Sequence, residues 1–148
     1  MEKTVKTRYF FAYLLSIFSI ALINAKTARD SAYKVTQDNG TVQEIHSTQE
    51  FEGLLPQEGS FVAQFYNREC PVCQRFEASG IYQKTAQKYP AIRFVKVEKD
   101  LSGLHSKYGV MFYPKFIFFK DGKKVKELVG AITQERFERL LNQTGLSR

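Results

Sequence analysis

The apolar positions of this chain fall into short runs with strand character, separated by stretches with a helical period. Val42 to Ile45 is a short strand candidate. Ser47-Thr48-Gln49-Glu50 has the spacing of a capping box and opens a helix carrying Phe51, Leu54 and Leu55, which Pro56 and Gly59 end. Phe61 to Tyr66 is nearly continuously apolar and rich in aromatics, the pattern of a strand buried on both faces. A helical segment follows through Phe76, Ile81, Tyr82, Ala86 and Tyr89; Gly80 in its middle costs about 1 kcal/mol relative to alanine and predicts a bend. Ile92 to Val97 alternates and is β-branched, so it is a second central strand, parallel to the first because a helix lies between them.

Ser102 to Tyr108 reads as a short helix closed by Gly109. Lys115 to Lys120 and Lys124 to Val129 flank Asp121-Gly122, the strongest hairpin signal in the chain. Ile132, Thr133 and Phe137 take the places of a hydrophobic staple, and Phe137, Leu140 and Leu141 give the last helix one apolar stripe. The predicted order is β-α-β-α-β-α-β-β-α, an α/β fold with a mixed central sheet flanked by helices over residues 42–148.

The N-terminus follows a different logic. Lys3, Lys6 and Arg8 precede an apolar run from Tyr9 to Ile23, then Asn24-Ala25 and a polar segment from Lys26. A run of about 15 residues fits a secretory signal peptide over residues 1–25 and falls short of the ~20 that span a bilayer. Cleavage after Ala25 is the expected processing, with an uncleaved membrane anchor as the alternative and the only route to a membrane. Residues 26–41 read as a flexible lead-in. The expected location is therefore exported: periplasm, extracellular space or endoplasmic reticulum lumen.

The formal charge of +7 is modest. Its basic residues are dispersed, apart from Lys120, Lys123, Lys124 and Lys126 at the hairpin, so no clustered basic face points to nucleic acid. His46 and His105 are read as surface residues. With the two cysteines they supply four ligand atoms but no metal-site spacing, so no metal is expected.

Both cysteines lie in Arg68-Glu69-Cys70-Pro71-Val72-Cys73. Closing so small a ring gains only about 2 kcal/mol on the chain-entropy estimate, which argues against a structural staple. Cys70 sits where the strand gives way to the helix, with Pro71 at the first helical position. The N–H groups and dipole of a helix N-terminus supply up to about 2 kcal/mol in favour of the thiolate. Glu69 works against this by about 0.7 kcal/mol if its carboxylate lies some 6 Å away in water, and Arg68 offsets part of that. Cys70 is thus expected below the ordinary thiol value of about 8.5.

This order of elements, with CxxC after the first long strand and Tyr113-Pro114 ahead of the hairpin, resembles the thioredoxin family over residues 42 to 143. The resemblance implies a thioredoxin-like fold and a protein disulfide oxidoreductase needing no cofactor. Cys70 would be the exposed attacking thiol and Cys73 the buried resolving one. Pro114 would be a cis-proline facing the pair, and Tyr113, Pro114, Pro71 and Val72 would meet the substrate. Implied partners are cysteine-containing exported proteins and a redox protein that recycles the site.

Several positions depart from the family pattern. Glu69 stands where a tryptophan is usual, Ala78 replaces the proline of the active-site helix, and Gln64 replaces the buried aspartate of the central strand. Lys96 matches the family's lysine, but its usual carboxylate partner is gone. Glu69, Gln64 and Lys96 are therefore the expected tuning residues. Pro71-Val72 is closer to the Pro-x dipeptides of glutaredoxins and periplasmic disulfide oxidases than to the Gly-Pro of cytosolic thioredoxins. Two other classes share these residues: a binding module that holds partners through a mixed disulfide without turnover, which Gln64 and Glu69 favour, and a thiol metallochaperone.

Overall fold

The computed structural model describes residues 40–55 and 58–147. The chain divides into Met1–Thr36 and Gln37–Arg148. The first unit lies outside the described residues, as do the predicted signal segment, nearly all of the lead-in and the helix-ending Pro56. Among the described residues no helix is long and apolar enough to cross a membrane.

The elements are β1 (Val42–Ile45), α1 (Thr48–Leu54), β2 (Ser60–Tyr66), α2 (Pro71–Ser79), α3 (Ile81–Lys88), β3 (Ile92–Glu98), α4 (Ser102–Lys107), β4 (Lys115–Lys120), β5 (Lys123–Val129) and α5 (Gln134–Gln143). The five strands form one mixed sheet in the order β1-β3-β2-β4-β5. β1 and β2 run parallel to β3, β4 runs antiparallel to β2, and β5 antiparallel to β4.

Local chemistry sets most boundaries. Ser47 Oγ accepts from the Glu50 N–H at 3.1 Å, while the Glu50 carboxylate accepts from the N–H of His46 at 2.8 Å, a box displaced by one residue. Thr133 caps α5, and Ile132 and Phe137 are both buried beside it. Asp121 and Gly122 have φ of 48° and 72°, the left-handed pair that a tight hairpin requires. Gly122 admits no side chain, since a Cβ there would lie 1.9 Å from the Leu55 carbonyl oxygen.

Gly80 does more than bend the active-site helix. With φ of 66° it closes α2 and opens α3, so one predicted helix becomes two. The left-handed conformation, accessible to glycine without steric cost, interrupts the helical ladder.

The sheet has two buried faces. Val62, Phe94, Phe116 and Phe118 meet Phe76, Tyr82 and Phe137 from α2, α3 and α5. On the other face Phe51 of α1 is fully buried among Phe61, Phe65, Tyr108 and Phe119, with ring centroids 5.4 to 5.9 Å away. Side chains alternate along a strand, so Gln64 shares the α2 face with Val62 and Lys96 shares it with Phe94. The outermost strand, β5, is exposed along almost its whole length, with a register shift opposite Phe118 and Phe119.

Candidate active site

The carboxyl end of β2 delivers the chain to the cysteines. Cys70 is the N-cap residue of α2, with extended backbone (φ −80°, ψ 117°) and Pro71 next to it in the first turn. Pro71 is exposed and Val72 half-buried. Cys73, one turn further on, is only 1% exposed, whereas Cys70 reaches the surface. The two thiols are chemically unlike. Burial tends to raise Cys70, but the N–H groups of Cys73 and Val72, the Cys73 thiol and the positive charge of Arg75 outweigh it, so Cys70 lies below the ordinary thiol value. Cys73 is pushed up to about 11, chiefly by burial; the Asn67 N–H opposes the shift, and Cys70 and the Glu77 charge add to it.

The charges around Cys70 differ from those expected. Glu69 is exposed, its N–H donates to Asn67 Oδ1 at 3.0 Å, and it is not among the main influences on Cys70. Arg68 pairs with Glu98 at 2.6 Å and lies 3.9 Å from Glu44, so it serves the neighbouring strands. Arg75, one turn along α2, supplies the favourable charge.

Across from the cysteines the Tyr113–Pro114 peptide bond is cis. The Cys70 thiol donates to the Tyr113 carbonyl oxygen at 3.7 Å, which places the substrate-contact candidates Tyr113 and Pro114 beside the outer thiol. Met111 and Phe112, just before them, are 78% and 66% exposed and form an apolar rim, so Phe112 does not join the core strand that its place in the aromatic string Phe112, Tyr113, Phe116, Phe118 and Phe119 suggests.

His105 departs from its expected place on the surface. It is buried, its ring packs edge-on against Phe65, and its nitrogens contact the Tyr113 hydroxyl and the Glu98 carbonyl oxygen, both at 2.9 Å. A carbonyl can only accept, so Nε2 carries the proton and Nδ1 accepts from Tyr113. Burial holds His105 below its ordinary value. An unfolded chain takes up this proton first as pH falls through about 6.5, so His105 removes stability from there down to its lower folded value. Wild type is expected to lose more stability than His105→Gln between pH 7 and pH 5, measured by urea denaturation; equal losses would show that His105 is not buried neutral.

Beneath Cys73 the sheet register builds a polar row. Glu44 of β1 lies opposite Lys96 of β3, and Lys96 lies opposite Gln64 of β2. Lys96 is not left without an acid. Its ammonium donates to Glu77 of α2 at 2.8 Å and sits 4.5 Å from the centre of the Tyr66 ring. Gln64, fully buried, donates through Nε2 to the other Glu77 oxygen at 3.1 Å, while its own Oε1 has no partner. The sequence reading missed Glu77. Its signal was the i, i+4 spacing from Cys73, which puts both side chains on one helix face. Among the described residues no group of three or more His, Cys, Asp or Glu side chains could hold a metal ion.

Residues 42–143 match the family model for thioredoxin. The chain belongs to the thioredoxin family. It is 31% identical over 96 residues to thioredoxin AMT13 of Alternaria alternata, an alignment covering 64% of this chain and 80% of that one. With thioredoxin-1 of Schizosaccharomyces pombe it shares 29% identity over 91 residues, 61% of this chain and 86% of the relative. The crystal structure of thioredoxin from Trypanosoma brucei brucei superposes with a TM-score of 0.66 at 25% identity, covering 75% of this chain and 96% of that one. The mixed five-stranded sheet flanked by helices is thus the thioredoxin-like fold, and the protein is a disulfide oxidoreductase of that family.

Proposed function

We propose that this member of the thioredoxin family is an exported thiol-disulfide oxidoreductase that exchanges disulfides with cysteine-containing exported proteins through Cys70-Pro71-Val72-Cys73. The observation that carries the reading is the opposed shift of the two thiols, Cys70 lowered at a helix N-terminus and Cys73 raised by burial. The Cys70 thiolate attacks a client disulfide, giving a mixed disulfide and a client thiolate. Cys73 then attacks the Cys70 sulfur, closing the ring and releasing the second client sulfur as a thiol. Run backwards, the same steps oxidise a client dithiol. Tyr113 and Pro114 present backbone to the client, and Pro71, Val72 and the Met111-Phe112 rim give it an apolar surface to lie against. A second redox protein resets the pair. Export is supported by the basic flank and apolar run of residues 1–25.

One experiment tests both parts. The protein is taken from the exported fraction of the cells that make it, reduced, alkylated with iodoacetamide at pH 7 for increasing times, and read by mass spectrometry. A mature chain starting at Lys26, with Cys70 modified well before Cys73, is expected. Equal alkylation rates would overturn the assigned roles, and a chain found only inside the cell with Met1 in place would overturn export.

A further inference from the structure

The exchange reaction proposed above demands a proton acceptor that the central strand does not supply. Cys73 is buried and holds its proton tightly, while β2 carries no carboxylate and its buried polar side chain on the α2 face is the amide of Gln64, which cannot take a proton. Glu77 is the acid that reaches this place. It projects from an otherwise exposed stretch of α2, yet Lys96 at 2.8 Å and Gln64 at 3.1 Å draw its two oxygens toward the sheet. An open cleft between α2 and the β1–β3–β2 edge is lined by both Cys73 and Glu77, so solvent can connect the thiol to the carboxylate. The other charged or titratable groups facing this cleft are Glu44, Tyr66, Arg68 and Lys96. Tyr66 is raised to about 12 and stays protonated, Arg68 and Lys96 are cations, and Glu44 is taken up by the Tyr66 hydroxyl and lies 3.9 Å from Arg68.

We propose that Glu77 accepts the proton of Cys73 in the resolving step, across the solvent of this cleft, in place of the acid that β2 lacks. The Cys73 S–H gives its proton to the Glu77 carboxylate, and the resulting thiolate attacks Cys70 Sγ. The Cys70–Cys73 bond forms as the bond from Cys70 to the client sulfur breaks. Its electron pair leaves with the client sulfur, which takes up one proton from Glu77 or from solvent. In the oxidising direction protonated Glu77 returns the proton to Cys73. Lys96 holds the Glu77 carboxylate against the sheet through their 2.8 Å ion pair.

The test separates the two chemical steps in the full-length protein. Reduced protein is mixed with 5,5′-dithiobis(2-nitrobenzoate), whose coloured thiolate is released once when Cys70 attacks and once more when Cys73 resolves the mixed disulfide. Glu77→Gln is expected to leave the first phase unchanged and to slow the second roughly 10- to 100-fold at pH 7, within the usual reach of general acid-base catalysis. The defect should close as pH approaches the Cys73 value, where hydroxide removes the proton unaided, and Glu77→Asp should recover part of the rate. A second phase that is unchanged or faster in Glu77→Gln would overturn the proposal, because a carboxylate that merely repels the Cys73 thiolate must speed resolution when it is removed. This inference rests on Cys70 attacking and Cys73 resolving. A wild-type protein that releases only one equivalent of thiolate, however long it is followed, would refute that underlying reading, whereas two equivalents with a second step insensitive to Glu77→Gln refute Glu77 alone.

Discussion

Cys70→Ser is expected to reduce disulfide exchange to the uncatalysed background, while Cys73→Ser accumulates a covalent adduct with client. The contrast follows from the different positions of the two sulfurs. Cys70 caps α2 at the surface, and its thiolate is stabilised by the N–H groups of Val72 and Cys73. A serine hydroxyl at that position does not ionise near neutral pH, so attack stops. Cys73 is 1% exposed and does not meet client first. Its replacement leaves the first attack intact and removes the second, and serine is preferable to alanine because its hydroxyl can still donate to the Cys70 thiolate as the Cys73 thiol does. Adduct on non-reducing gels from Cys73→Ser, and none from the double variant, is the expected pattern. Equal adduct from Cys70→Ser would reverse the roles.

The largest structural effect is expected at Phe51. Its ring is fully buried with four aromatic neighbours, so Phe51→Ala loses transfer free energy and leaves a cavity that the surrounding flat rings fill poorly, at a cost of about 3–5 kcal/mol. Against a typical total of about 5–15 kcal/mol this lowers the thermal midpoint by at least ~10 °C. Phe51→Leu, closer in volume, is expected to cost less. The damage should reach the site, because Phe65 packs on Phe51 and on His105, and His105 holds the Tyr113 hydroxyl. A midpoint shift below about 3 °C for Phe51→Ala would show that this half of the core can collapse around the loss.

What could be read from the sequence was written in short-range chemistry. The capping residues Ser47 and Thr133, the Asp121-Gly122 turn and the aromatic run of β2 each act within a few residues, and the elements follow them closely. The cysteine pair was legible because one motif contains both thiols and one helix N-terminus. Glu77 was not, since an acid on the open side of a helix looks like any solvated charge until β1, β3 and β2 come into register and put Lys96 and Gln64 beneath it. His105 was misplaced for a related reason. The short helix α4 carries too few apolar residues to show a buried side, and His105 is covered by Phe65, forty residues earlier, and by Tyr113 beyond the end of the helix. Gly80 was recognised as a weak point, but whether a glycine bends a helix or divides it depends on the φ it adopts. The opposing effects of Glu69 and Arg68 failed as a pair because Glu98, thirty residues along the chain, captures the arginine.

The exposed outer strand bears on what happens when the protein meets an incompletely folded chain. Such chains carry unsatisfied backbone groups and will add to any flat sheet edge they meet. Along β5, Lys123, Lys124 and Lys126 are exposed, and the slip between Lys124 and Lys126 leaves Val125 out of step with β4. Neither the charge nor the uneven spacing suits an incoming strand. An incoming strand therefore finds at β5 an edge poorly suited to pairing.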